Sequence, residues 1–279
     1  MRDDSGIWSD IPAGHDSPLN FAVTSRDRLV VQMVDGAVRK GRAMLAYQSV
    51  VPAGDPARPA FYEGLIRVMD DTGRIIPAQD FISEIEATET GRLIDCIALE
   101  QGLRAMHEYP DLRLAINMSA RSIGYGRWND ILHQGLQGDP TAGERLILEI
   151  TENSAILVPE LVVSFMSGLQ RQGISFALDD FGSGYTSFRY LKQFYFDILK
   201  VDGQFIRGVA HDPDNQILTA ALLSIAQQFD MVCVAENVET AEDAAYLADM
   251  GMDCLQGYYF GAPTIRPPWD ENAWNSVTA

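Results

Sequence analysis

The residues best suited to chemistry are hard oxygen donors placed at the ends of apolar, strand-like runs. The densest pair follows Phe176-Ala177-Leu178, which delivers Asp179 and Asp180 into the loop Phe181-Gly182-Ser183-Gly184. Adjacent aspartates repel unless a positive charge lies beside them, and a divalent cation is the strongest local charge available. A strand points successive side chains to opposite faces, so the two reach one ion pair only if the backbone turns at the strand end. For this fragment alone, a strand stop with an Asx-type turn is the alternative.

The rest of the chain repeats the placement. Glu63, Asn117, Glu149, Glu152, Lys200, Asp202, Glu236, Glu239 and Gln256 each lie in or just after a strand-like run. Each has a structural explanation when taken singly: Asn117 as a loop cap, Lys200 as a snorkelling side chain, Glu149 on a solvated face. Taken together they put an acid, an amide or an amine at one end of nearly every strand. Carboxylates crowded at one mouth raise each other's pKa, so the cluster calls for cations. The donors are hard oxygens with no Cys or His among them, which selects Mg2+, Mn2+ or Ca2+ over zinc. Two such ions roughly 3.5 to 4 Å apart, bridged by a shared aspartate, cleave phosphodiesters by in-line attack of a bound water. Lys200, the one cation in this set, could hold that water or steady charge on the phosphate.

The elements that must position these groups alternate. After helical periodicity from Ser25, strand-like runs at 44–51 and 60–68 are joined by a short Pro/Gly connection without a helix, and are expected to be antiparallel. Helices are expected at 77–87, 93–106, 128–137, 159–172, around 217–229 and after Thr240, interleaved with strands at 112–119, 146–152, 176–181, 196–202, 231–236 and 254–257. The layout is that of an α/β fold, an irregular (β/α)8 TIM-like barrel with the first strand antiparallel to the others. A doubly wound open sheet is the alternative. Residues 1–24 read as a mobile leader and 25–279 as a single barrel domain.

Composition sets outer limits. The chain has 279 residues, 47% apolar, with a formal charge of −18. That charge argues against a nucleic-acid polymer or an anionic membrane as partner, and requires a cation to mediate any anionic substrate. Cys96, Cys233 and Cys254 lack metal-type spacing and imply no disulfide framework, which fits a reducing cytoplasm. The acidic opening Met1-Arg2-Asp3-Asp4-Ser5 is not expected to be a signal or transit peptide, and no apolar run approaches roughly 18 residues. His15, His107, His133 and His211 lie away from the acidic set and are expected to be structural or solvent-facing.

The ordered motifs resemble the EAL-domain cyclic di-GMP phosphodiesterases. They are Tyr47-Gln48, Glu63-Gly64-Leu65-Ile66-Arg67, Asn117-Met118-Ser119, Glu149-Ile150-Thr151-Glu152, Asp179-Asp180-Phe181-Gly182, Lys200-Val201-Asp202, Ala235-Glu236-Asn237-Val238-Glu239-Thr240 and Gln256-Gly257-Tyr258. The similarity runs from about Leu45 to Pro263. It implies that Glu63, Asn117, Glu149 and Asp179 ligate one Mg2+ or Mn2+, and that Asp179, Asp180 and Glu236 serve a second, with Ca2+ binding in an inhibitory role. Lys200 would orient the hydrolytic water. Gln48, Leu65, Arg67, Asp202 and Gln256 would contact the nucleotide, with Glu239 close behind the ligands. Glu152 would hold the loop 181–188, a segment tied to metal binding and dimer communication. The implied reaction is hydrolysis of cyclic di-GMP to linear pGpG by a cytoplasmic homodimer.

Three positions depart from the family pattern. Gly64 replaces the alanine that names the motif, Ser49 replaces a proline, and Asn237 replaces a glycine next to Glu236. If position 237 needs a positive φ, Asn is the best substitute, although its side chain could crowd the site. A receptor or adaptor that keeps the barrel with low turnover is therefore the alternative function.

Overall fold

The computed structural model describes residues 18–183 and 191–270. Helix α1 (Pro18–Arg39) leads into β1 (Ala43–Pro52), β2 (Phe61–Met69), β3 (Ile75–Pro77), α2 (Ile82–Ile85) and α3 (Glu89–Glu108). Then follow β4 (Leu114–Asn117), α4 (Gly126–Gly138), α5 (Ala142–Arg145), β5 (Leu146–Thr151), α6 (Glu152–Leu157), α7 (Pro159–Gln170) and β6 (Ser175–Phe181). The chain continues through β7 (Ile198–Val201), α8 (Gly203–Ile206), α9 (Pro213–Gln228), β8 (Val232–Ala235), α10 (Ala241–Met250) and β9 (Cys254–Leu255).

Strand β1 pairs antiparallel with β2 on one side and β9 on the other, while β2, β4, β5, β6, β7, β8 and β9 run parallel to their neighbours. The ring closes as the irregular TIM-like barrel with one reversed strand, and β3 hangs outside it on the edge of β2.

Two boundaries differ from expectation. The first helix begins at Pro18, inside the expected leader, because proline suits a first helical turn; residues 1–17 lie outside the described residues. The stretch expected as a helix over 77–87 instead extends β2's edge at Ile75–Pro77, then makes a 3-10 turn at Ala78–Asp80 before the short α2. Pro77 biases the residue before it towards extended backbone, and Ile76 is buried opposite Val68.

The barrel interior is layered. Val50, Phe61, Ala115, Ile147, Ala177, Ile198, Val234 and Cys254, one per barrel strand, form an apolar floor separate from the core under the helices. Side chains repeat every second residue along a strand, so the position two residues nearer the mouth also faces inward. Those positions are Glu63, Asn117, Glu149, Asp179, Lys200, Glu236 and Gln256, with Gln48 on the reversed β1. The polar ring is thus the next storey above a closed apolar plug, at the end of the strands where barrels of this class carry chemistry.

Candidate active site

Lys200 stands at the centre of the ring, fully buried, with Nζ 2.8 Å from Glu236, 3.0 Å from Glu149 and Asp179, and 3.3 Å from Glu63. Burial alone would strip its proton, but the four carboxylates outweigh burial and hold its pKa well above the ordinary lysine value. Glu63 is gripped by amides on both oxygens: Asn117 Nδ2 donates at 2.8 Å and Gln256 Nε2 at 2.6 Å. Burial opposes its ionisation, yet Lys200 and these amides keep its pKa below the usual value. Gln256 Nε2 also donates to Gln48 Oε1 at 3.2 Å, and Gln48 Nε2 to the Gly261 carbonyl at 2.9 Å.

The other acids are less satisfied. Burial and the charge of Glu63 push Glu149 well above the carboxylate range, and burial with Asp179 as neighbour does the same to Glu236. Asp180 rises to about 6, through burial and then the charges of Asp179 and Asp202. With all five acids ionised around one ammonium the excess is four negative charges, which two divalent ions would neutralise, and without such ions the crowding favours protonation. The donor chemistry fits such ions: Glu149 Oε1 is buried without a hydrogen bond among the described residues, and ligand oxygens of Asp179, Asp180 and Glu236 lie within 4.8 Å of one another.

The aspartates converge through a backbone turn. Asp180 has φ 55°, and the ladder between β6 and β7 slips in register between Leu178 and Phe181. This bulge re-aims one carboxylate towards its neighbour. Glu152, expected at a strand end, starts α6 instead; its Oε2 accepts from the Gly182 backbone N–H at 3.1 Å. The rest of the loop it was expected to hold, from 184 onward, lies outside the described residues.

A cavity of about 390 Å³ opens above the ring, lined by Gln48, Glu63, Leu65, Arg67, Asn117, Asp179, Asp180, Glu236, Glu239 and Gln256 among others. Pro77, Ala78, Ile82, Ile94 and Ala98 add apolar surface to its lining. Arg67 is half-buried there, and burial lowers its pKa. Asp202 does not line this cavity: it caps α8, accepting from Gln204 N–H at 2.7 Å. Glu239 lines the cavity and pairs with Arg207 at 3.5 Å.

Sequence reasoning passed over Asp95 on α3, which lines the cavity and is buried. It accepts from Ser122 Oγ at 2.5 Å and Ser119 N–H at 3.1 Å, tying down the turn after Asn117. Burial pushes its carboxyl up to about 7. The available signal was a lone acid inside the helical apolar run Leu93-Ile94-Asp95-Cys96-Ile97.

The motif departures also find their places. A β-carbon on Gly64 would lie 2.8 Å from Ile116 Cδ1, which is itself only 2.9 Å from the corresponding point on Gly102. Ile116 therefore fills the room an alanine methyl would take. Asn237 has φ 55°, the left-handed geometry that asparagine tolerates.

Comparison with known proteins agrees with this architecture. Residues 31–263 match the family model described as EAL domain. The chain is 31% identical over 207 residues to cyclic di-GMP phosphodiesterase PdeF of Escherichia coli (strain K12), covering 73% of this chain and 28% of that protein. It is 32% identical to cyclic di-GMP phosphodiesterase PdeR of the same organism, covering 72% of this chain and 31% of the relative. The chain thus spans about a third or less of these relatives. Among solved structures, the PaMucR phosphodiesterase in complex with c-di-GMP superposes with a TM-score of 0.73 at 27% identity, over 85% of this chain and 97% of that one. With its reversed first strand, its polar ring and this match over most of its length, the chain belongs to the EAL domain family.

Proposed function

We propose that the protein is a divalent-metal-dependent phosphodiesterase that opens cyclic di-GMP to linear pGpG by in-line displacement. The observation that carries this reading is the ring itself: four carboxylates converge on Lys200 above an apolar floor and Asp180 adds a fifth beside Asp179 and Glu236, an arrangement suited to two hard cations and an anionic substrate. Glu63, Asn117, Glu149 and Asp179 would hold one Mg2+ or Mn2+, and Asp179, Asp180 and Glu236 the other. When bound, the ions supply charge neutralisation at the phosphate and acidify an attacking water.

The chain's own residues do the rest. Lys200, kept protonated by its carboxylates, donates hydrogen bonds to the water and to charge developing on the phosphate. Gln256 and Asn117 fix the orientation of Glu63 through its two oxygens. Arg67, Gln48 and Leu65 line the cavity where the nucleotide would rest, and the half-buried guanidinium suits a phosphate or a guanine edge. Glu152 holds the start of the loop after β6 through Gly182.

Exposed Leu157, Val158 and Leu161, at the end of α6 and on α7, support a homodimer that buries this face. Cys96, Cys233 and Cys254 are buried and free, which suits a reducing cytoplasm; among the described residues no helix is long and apolar enough to cross a membrane. The reaction is tested by incubating the protein with cyclic di-GMP and Mg2+ or Mn2+ and following pGpG by chromatography. Product formation dependent on the ion is expected. Nucleotide binding without product, with either ion, overturns the enzyme in favour of a receptor.

A further inference from the structure

The turn after β8 carries a side chain that the proposed reaction does not use. Asn237 follows Glu236, has φ 55° and is exposed at the cavity mouth. Glycine would satisfy that backbone without a side chain, and asparagine adds one to the turn. It stands against Gly203, the first residue of α8: a β-carbon on Gly203 would fall 2.6 Å from Asn237 Cβ and 2.7 Å from its Cγ. Neighbours cannot approach so closely, so the asparagine at one position requires the glycine at the other. Two residues further, the Phe205 ring takes the space beside Gly182, where a β-carbon would fall 2.6 Å from Phe205 Cε2. Gly182 N–H in turn donates to Glu152. Contact therefore runs unbroken from Glu236, through Asn237 and α8, to the segment that follows Asp179 and Asp180.

We propose that Asn237 is a positioning residue: wedged on Gly203, it fixes the turn that aims Glu236 at Asp179 and Asp180, and couples that turn through α8 to the start of the loop after β6. The inference rests on the divalent-ion reading above.

The test uses the full chain and three variants. Asn237→Gly keeps the backbone geometry and removes the wedge; Gly203→Ala drives a β-carbon into it; the double variant does both. Mn2+ affinity is read by titration calorimetry, and thermal unfolding is read without added metal. Each single variant is expected to weaken Mn2+ binding on the order of 10-fold, the effect usual for residues that orient ligands. Gly203→Ala alone is expected to lower the Tm, and the double variant to recover the Tm of Asn237→Gly because the clash is gone.

Full Mn2+ affinity in Asn237→Gly overturns the positioning role. A Tm loss from Gly203→Ala that persists undiminished beside Asn237→Gly overturns the wedge. If Gly203→Ala alone does not fold, a folded double variant supports the wedge and an unfolded one overturns it. Wild-type protein that binds no Mn2+ overturns the divalent-ion reading and the positioning role together, whereas the unfolding cycle still reports the contact.

Discussion

Asp180 stands beside Asp179 rather than across the strand from it: at φ 55° it brings a carboxylate oxygen within 4.8 Å of those of Asp179 and Glu236. Two neighbours on one strand thus serve one site, and the conformation is maintained at a strain of about 1 to 3 kcal/mol.

That strain can be separated from the carboxylate. Asp180→Gly retains the left-handed geometry at no steric cost, so the Tm should hold or rise slightly. Mn2+ affinity should fall by about 10-fold or more, and hydrolysis with it. Calorimetry and an unfolding scan on the same sample check both; unchanged Mn2+ affinity would place Asp180 outside the site.

Lys200→Met leaves four buried carboxylates without their cation. Breaking a buried ionic cluster from one side destabilises by about 3 to 5 kcal/mol. Added Mn2+ should restore much of that loss, because the ion replaces the missing positive charge. Unfolding with and without Mn2+ measures it; equal stability of wild type and variant in the absence of metal contradicts the assignment.

Glu152→Ala removes the acceptor for Gly182 N–H at the start of the loop after β6. The barrel should stay folded, while the Mn2+ concentration needed for half-maximal turnover rises several-fold. A metal titration of activity, run beside circular dichroism, separates this from a folding defect.

Gly64→Ala restores the family residue but meets Ile116, which Gly102 hems in from the other side. Overpacking of this kind destabilises by about 1 to 3 kcal/mol. Ile116→Val, by shortening the offending side chain, should relieve most of it in the double variant. Denaturant melts of the four proteins form the cycle, and additive losses would refute the clash.

Asp95 gives a pH signature. Its carboxyl is pushed to about 7 in the fold by burial, so the folded state holds this proton longer than the unfolded chain does. The corresponding stability is full below about pH 4, drains as pH rises towards 7 and is gone above it. Roughly 1.4 kcal/mol for each pH unit of that interval makes a swing of about 4 kcal/mol. Asp95→Asn never ionises, and its stability should be flatter across this window by that amount. Parallel slopes in urea melts from pH 4 to 8 would show that Asp95 does not titrate there.

The sequence by itself determined the polar ring and the class of barrel. Glu63, Asn117, Glu149 and Lys200 each follow a floor residue by two positions, and the alternation that turns both inward is a local property of any strand. The short connection between the first two strands likewise dictated that β1 runs against β2. Glu152 was singled out from the family motif, and it accepts from Gly182 N–H directly after β6.

Tertiary structure alone decided what depends on neighbours distant in the chain. Whether the sheet closes rests on β1 meeting β9, a pairing between chain ends that no local pattern encodes. The turn at Asp180 appears only where β6 and β7 slip in register, and the place of Ile116 depends on Gly64 and Gly102 approaching from two other elements. Asp95 looks like an ordinary interruption of a helix stripe until α3 is packed against the turn after β4 and water is excluded around it. Asn237 is one residue in a motif until α8 brings Gly203 beneath its side chain. Local alternation chose which residues face inward; close packing between remote segments decided how those residues are held.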